Sequence, residues 1–216
     1  MGRILDHDRL AAKSAIACWF GDEGQLALAV QQNPIDNELL DRWLRVWMLR
    51  RWVPVRNELC AFLDGIAKPV LIKPRQAGDA AYRLVEELCQ QAMDNHVFTT
   101  RQTSLMSKFA FSCHPTTFAP YDRRARTALR ELGHRFPDHS YTLYMHAFNA
   151  EKPKFVKRLR DLNMTASTLS YRGRIMQDEL FEMRAFDKRL MLLGGFSPVS
   201  MARNIDCKDF NPSKVT

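Results

Sequence analysis

The sequence lacks the short motifs that identify several large classes of enzyme. It has no C-x-x-C pair and no H-x-E or H-E-x-x-H spacing, so no zinc or iron–sulfur site and no zinc hydrolase or deaminase chemistry is predicted. A Gly-rich phosphate loop and a G-x-S-x-G elbow are also absent, which excludes P-loop NTPases, Rossmann dehydrogenases and α/β-hydrolases. We therefore expect no metal and no cofactor.

Cysteine is scarce and scattered along the chain. The five cysteines are an odd number without paired spacing, which does not suggest a disulfide framework. They are expected to be small buried hydrophobic residues. The cysteines are Cys18, Cys60, Cys89, Cys113 and Cys207.

Long apolar runs are missing as well. No run approaches the roughly 18 residues that cross a bilayer, and the first residues (MGRILDHDRLAAK) lack the apolar segment of a signal peptide. We expect a cytoplasmic protein with no membrane partner. The 216 residues, 46% hydrophobic and 26% charged, suit one large or two small globular domains.

Helical periodicity dominates the sequence and strand alternation is rare, which predicts a mainly α fold with little or no sheet. Only residues 69–73 look extended. Helix breaks are expected at Pro115, Pro120, Pro137 and Pro153. The predicted helices cover about residues 6–19, 22–32, 35–52, 55–65, 79–94, 102–113, 122–132, 139–149, 152–163 and 173–193.

No internal repeat, low-complexity tract or Gly/Ser-rich linker interrupts the chain. The prediction is one helical unit over residues 1–195, with a possible subdivision near residue 70, followed by a tail over residues 196–216. We expect a monomer.

Positive charge is in excess and concentrated in two segments. The chain carries 32 Lys and Arg against 24 Asp and Glu, a net charge of +8, and residues 122–135 and 151–161 each hold five basic and two acidic residues. Such clustering is typical of nucleic-acid binding, because phosphate contacts dominate affinity. A solvated charged face, an acidic protein partner and a membrane surface remain alternatives. The predicted DNA-binding residues are Arg123, Arg124, Arg126, Lys154, Lys157 and Arg158.

The segment over residues 103–129, TSLMSKFAFSCHPTTFAPYDRRARTAL, is the most informative for chemistry. A helical wheel places a buried stripe on one side of its first helix, with Ser104, Lys108, Phe111 and Ser112 on the other. Lys108 stands at the edge of the stripe, where partial desolvation would favour a nucleophilic amine. An ordinary lysine that snorkels to solvent is the alternative. The stripe comprises Leu105, Met106, Phe109, Ala110 and Cys113.

Asp122 follows the turn TTFAPYD and is predicted to be the N-cap of the next, Arg-rich helix. Helix N–H groups would keep its carboxylate ionised and directed outward. The helix–turn–helix arrangement is expected to bring Lys108 and Asp122 to the same pocket mouth.

This arrangement resembles the helix-hairpin-helix DNA glycosylase superfamily, and more closely bacterial proteins similar to 8-oxoguanine DNA glycosylases. The FAPYD element at residues 118–122 is similar to the Val-Pro-x-Asp stretch of the superfamily. The resemblance implies a glycosylase-like helical fold in which Lys108 attacks the sugar C1′ and Asp122 stabilises positive charge or activates the nucleophile. It implies excision of a damaged base, or of a modified base of foreign DNA, with or without a lyase step.

The Gly-rich hairpin of that superfamily is absent before Lys108, where the chain reads TTRQTSLMS. Arg123, Arg124 and the Ser/Thr hydroxyls would then take the phosphates. A glycosylase must also flip its target nucleotide into a pocket, and aromatic side chains can stack on the base. The pocket candidates are Trp43, Trp47, Phe111, Phe118 and Tyr121.

Asp187 interrupts an apolar stripe formed by Met176, Leu180, Met183 and Leu190. A charge there must be paired or hydrogen-bonded. It is predicted either to pair with a core arginine or to orient a site residue such as Lys108, while Arg184 and Lys188 are expected to face solvent or phosphate. The leading hypothesis is thus a DNA glycosylase-like enzyme, and the alternative is a non-catalytic helical module that binds DNA or protein.

Overall fold

The structure is a computed structural model that describes residues 2–74, 78–203, 205 and 210–212. It is mainly helical, which confirms the predicted fold class. Strand pairing within the described residues is confined to β1 (Leu169–Tyr171) and β2 (Phe210–Pro212), which are antiparallel with Leu169 opposite Pro212. None of the described helices is both long enough and apolar enough to cross a membrane.

Most of the helices coincide with predicted ranges, whereas the helices over Lys68–Ile72 and Pro198–Ala202 were not predicted. Single π-helical turns over Trp19–Glu23 and Leu63–Ala67 join α1 to α2 and α4 to α5. The helices are α1 (Gly2–Cys18), α2 (Gly24–Gln32), α3 (Asn37–Val46), α4 (Asn57–Phe62), α5 (Lys68–Ile72), α6 (Asp79–Asp94), α7 (Thr103–Cys113), α8 (Arg123–Glu131), α9 (Tyr141–Asp161), α10 (Asp178–Leu193) and α11 (Pro198–Ala202).

The chain divides into two units of discontinuous sequence. The first unit comprises Met1–Gly21, Asp122–Arg135 and His146–Thr216, and the second comprises Asp22–Tyr121 and Phe136–Met145. This differs from the expected single unit over residues 1–195. Both sides of position 70 lie in the second unit. The divisions carry no linker composition, which is why no sequence pattern indicated them.

In the first unit, α10 packs against both α1 and α8. Fully buried alanines on α1, including Ala11, Ala12 and Ala15, let the two backbones approach closely. The ring of Phe186 on α10 contacts those of Phe148 and Phe155 on α9, with centroids 4.8 and 5.5 Å apart. The stretch expected as a tail contains α11, which packs on α1.

In the second unit, α7 is the central helix and packs against α2, α5 and α6. The amphipathic prediction for α6 is confirmed, since the helix covers the predicted residues 79–94 and buries Val85, Leu88 and Cys89. Trp43 on α3 packs edge-to-face on Phe109 of α7, with ring centroids 5.8 Å apart. The core of this unit is therefore built around α7.

Three local predictions were wrong. Residues 69–73 are not extended: Pro69 lies in the first turn of α5, and the preceding Ala67 and Lys68 are already helical. Pro153 does not break the chain into two helices but lies inside α9. Finally, α3 ends at Val46, well before the predicted position 52.

Candidate functional site

The helix that carries Lys108 is buried on all sides. Lys108 itself is only 7% exposed. The expectation of a one-sided buried stripe was wrong, because Phe111 and Ser112 on the opposite side are 0% and 1% exposed. Lys108 is therefore a core residue of the second unit rather than a snorkelling surface lysine. The buried residues of α7 are Thr103, Leu105, Met106, Ser107, Lys108, Phe109, Ala110, Phe111, Ser112 and Cys113.

A polar network fixes the backbone at Lys108. The hydroxyl of Ser112 donates to the carbonyl oxygen of Lys108 over 3.0 Å. The same hydroxyl accepts a bond from the indole N–H of Trp43 over 2.9 Å. The network is buried, and it ties α3 to the turn of α7 that holds Lys108.

The segment before Asp122 is anchored by four side chains. The hydroxyl of Ser107, the residue before Lys108, accepts a hydrogen bond from the N–H of Tyr121 over 2.9 Å. Tyr141 donates to the carbonyl oxygen of Ala119 over 2.8 Å and accepts from its N–H over 3.0 Å. The hydroxyl of Tyr144 donates to the carbonyl oxygen of Pro120. The hydroxyl of Tyr121 donates to the carbonyl oxygen of Asp138. The backbone of FAPY is thus held by hydrogen bonds inside the second unit.

Asp122 is the N-cap of α8, as predicted. Its Oδ1 accepts a hydrogen bond from the N–H of Arg124 over 2.9 Å. The residue is half-buried. Asp122 falls in the first unit and Lys108 in the second, so the two predicted catalytic residues belong to different units.

The predicted base pocket consists of core residues. Phe111, Phe118, Tyr121 and Trp43 are all at most 2% exposed. Trp47 packs edge-to-face on Phe111 with ring centroids 5.6 Å apart, so these two rings already contact one another. Stacking of a base on these rings stays a prediction.

The residues predicted to bind phosphate differ in their exposure and in the contacts that they already make. Arg123 is exposed, whereas the guanidinium of Arg124 lies over the ring of Phe196, 4.6 Å from its centroid. Arg126 is half-buried. Lys154 pairs with Glu151 over 2.7 Å and Lys157 with Asp161 over 2.8 Å. Arg158, whose side chain is 44% exposed, pairs with Asp8 over 3.0 Å. Their role in DNA binding remains a prediction.

Asp187 is 1% exposed and pairs with Arg184 one turn earlier on α10. The prediction of a buried, partnered carboxylate is confirmed. Arg184 and Lys188 are themselves buried, so the expectation that they face solvent or phosphate was wrong. The reason is that α10 packs on α1 and on α8, which leaves little of its surface to solvent.

A second buried ion pair was missed by sequence reasoning. Asp8 on α1 is fully buried, and its two oxygens accept hydrogen bonds from Arg158 and Arg189. Burial lowers the pKa of Arg189, and Asp8 opposes that shift. The two arginines are about 150 and 180 positions away from Asp8 in sequence, so no local pattern indicates the pair. The one available signal was a carboxylate close to the buried alanines of α1.

The described cysteines are free thiols. Cys60, Cys89 and Cys113 are buried and Cys18 is half-buried, while Cys207 lies outside the described residues. Burial raises the pKa of Cys89 to about 11 and that of Cys113 still further. No group of three or more His, Cys, Asp or Glu side chains gathers in the described part of the chain in a way that could hold a metal ion.

No protein-family model, no curated protein and no solved structure matches this chain.

Proposed function

We propose that the chain is a DNA glycosylase-like enzyme that flips a damaged or modified base out of DNA and excises it. The amine of Lys108 attacks the sugar C1′ while the bond from C1′ to the base breaks and its electrons leave with the base. Asp122 stabilises the positive charge that develops on the sugar. Loss of a proton from the attacking nitrogen and opening of the sugar ring would leave a Schiff base.

The observation that supports the proposal best is that Lys108 is a buried lysine in a well-packed, hydrogen-bonded part of the core. A lysine that is 7% exposed occupies a helix packed on all sides, and fixed hydrogen bonds hold its backbone. Burial of an ammonium group carries a desolvation cost that an apolar side chain at this position would avoid. A nucleophilic role gives a reason for an amine there.

The presentation of Asp122 also supports the proposal. Its carboxylate sits at the start of α8, where helix N–H groups stabilise a negative charge. A carboxylate that must face a developing cation benefits from such fixed geometry, because preorganised charge costs no reorganisation during the reaction.

Borohydride trapping tests the nucleophile. The protein is incubated with duplexes that contain 8-oxoguanine or another modified base, and a covalent protein–DNA adduct is expected on reduction. Lys108→Gln should abolish the adduct. The matched control is Lys68→Gln, because Lys68 is also a partly buried lysine of the second unit, bonded to Asn33 and Asp64. An adduct that survives Lys108→Gln would remove Lys108 from the role.

Alkali treatment tests base release separately. Asp122→Asn should keep the cap but lose base release, since it removes the charge and retains an oxygen acceptor. The control is Asp36→Asn, because Asp36 caps α3 in the same way with a 2.8 Å bond to the Leu39 N–H. Undiminished release from folded Asp122→Asn would contradict the assignment of Asp122. No release by the parent protein from any tested duplex would favour the alternative of a non-catalytic DNA-binding or protein-binding module.

A further inference from the structure

The turn after α3 exposes two large apolar side chains. Met48 is 79% exposed and Trp52 is 77% exposed, more than any other large hydrophobic residue in the described ranges. Both lie in the second unit, in the segment WMLRRWV over residues 47–53. Two large apolar side chains exposed in one short turn indicate an interaction surface.

The backbone of the turn is well defined. The N–H of Met48 donates to the carbonyl oxygen of Arg45 over 3.0 Å, and the N–H of Leu49 donates to that of Leu44 over 2.7 Å. This is the pattern in which a helix ends on a left-handed residue, usually glycine. Here the left-handed residue is Met48, with φ of 56°. A bulky residue in the left-handed region, with its side chain in solvent, is uncommon, and such backbone outliers cluster at functional positions.

The turn also rests on a rigid base. Trp47 and Val53 flank it and are buried. Trp43 and Trp47 contact one another at 6.4 Å between ring centroids. The N–H of Trp52 donates to the carbonyl oxygen of Leu49 over 2.8 Å. The indole of Trp52 is therefore presented from an ordered backbone, which lowers the entropy lost on binding.

The sequence around the two exposed side chains is rich in arginine. Residues 41–56 contain five arginines against one acid, Asp41, which is a net charge of +4. Asp41 pairs with Arg45 and Arg50 over 2.7 and 2.5 Å. Arg42 and Arg51 are exposed and form no ion pair with any described residue. The exposed guanidinium of Arg51, the residue before Trp52 in the sequence, is thus available in the same turn as the exposed indole.

We propose that this turn, defined by Met48, Arg51 and Trp52, is a docking surface for single-stranded DNA. An indole stacks on the face of any base, and a guanidinium binds phosphate through two parallel hydrogen bonds. Charge complementarity favours a polyanion over an apolar peptide. The inference stands apart from the excision chemistry proposed above, because the surface needs neither Lys108 nor Asp122.

Fluorescence anisotropy with a labelled oligothymidylate of about 20 nucleotides tests the surface. Trp52→Ala should weaken binding about tenfold, and Trp52→Phe should retain most of the affinity because a benzene ring still stacks. Ile175→Ala is the control, since Ile175 is another highly exposed apolar residue, in the first unit. Unchanged affinity of Trp52→Ala would overturn the proposal.

The salt dependence tests the arginines. Log affinity falls as log salt rises, and Arg51→Ser should make this negative slope less steep by about 0.7, the change expected for the loss of one single-strand phosphate contact. The control is Arg83→Ser, an exposed arginine on α6 that pairs with no acid among the described residues. An unchanged slope would remove Arg51 from the surface.

Two further arms separate this inference from its alternatives. Binding to phosphatidylserine vesicles but not to the oligonucleotide would assign the turn to a membrane surface and overturn the proposal. If base release is never observed while Trp52→Ala still weakens binding, the docking surface stands and the glycosylase proposal falls.

Discussion

The backbone of Gly194 lies directly against that of Arg124. A methyl group on Gly194 would overlap the carbonyl oxygen and the carbonyl carbon of Arg124. Gly194 ends α10, and Arg124 lies in the first turn of α8, the helix that Asp122 caps. The position of the α8 start within the first unit therefore depends on a residue without a side chain.

Gly194→Ala should destabilise the protein by roughly 1–3 kcal/mol, because a backbone atom cannot move aside as a flexible side chain can. The measurement is the free energy of unfolding in urea. The control is Gly65→Ala, since Gly65 lies in a helical turn and a methyl group there would have nothing within 4 Å. There alanine should be neutral or stabilising by up to about 1 kcal/mol. Equal stability of Gly194→Ala and the parent would contradict the close packing of α8 on α10.

Ser107→Ala should cost about 1–3 kcal/mol of unfolding free energy. The substitution leaves the buried N–H of Tyr121 without its hydrogen-bond acceptor. Ser104→Ala in the same helix is the control, because Ser104 is half-buried and accepts the Ser107 hydroxyl through its backbone carbonyl, which alanine keeps. Urea denaturation distinguishes the two variants, and a parent-like Ser107→Ala would show that Tyr121 is not anchored as described.

Asp187→Ala should cost on the order of 3–5 kcal/mol, because it removes the carboxylate that pairs with the buried guanidinium of Arg184. Asp178→Ala at the exposed start of the same helix should change stability by only about 0.5 kcal/mol. Thermal denaturation measures both. A melting temperature for Asp187→Ala within a degree or two of the parent would contradict the burial of this pair.

Glu151 should contribute to the free energy of unfolding at neutral pH and lose this contribution in acid. Burial alone would raise the pKa of Glu151, but hydrogen bonds from Lys154 and His134 outweigh it and lower the pKa. Because the folded pKa lies below the unfolded value of about 4.3, the contribution is present above that pH and is lost as pH falls through the folded pKa. The stability difference between parent and Glu151→Gln should therefore shrink in acid. Glu131→Gln, at the exposed end of α8, is the control, and a difference that stays constant from pH 7 to pH 3 would contradict the prediction.

Arg123→Glu should weaken duplex binding and reduce its salt dependence if the Arg-rich start of α8 contacts phosphate. Arg123 suits this test better than Arg124, since Arg124 also packs on Phe196 and its loss would cost packing as well as charge. Titration of duplex DNA at several salt concentrations measures both quantities. Unchanged affinity and slope would exclude this residue from the interface.

Local patterns were sufficient for much of the fold. The 3.6-residue period placed α6 and α7 almost to the residue, and Asp122 was recognised as a cap because capping depends on a side chain and the N–H groups next to it. The anomaly of Asp187 was also visible in sequence, since a charge within an apolar stripe must be compensated wherever the helix packs.

Other features depended on contacts between distant residues. The helix α7 is buried on all sides, together with Lys108, because α2, α5 and α6 pack around it. A helical wheel of α7 alone cannot show these neighbours. The pairing of Asp8 with Arg189 joins residues near opposite ends of the chain. The exposure of Trp52 beside the burial of Trp43 could not be predicted either, because both are tryptophans in one Arg-rich segment. Periodicity states which residues share a face, but only tertiary packing decides which faces are covered.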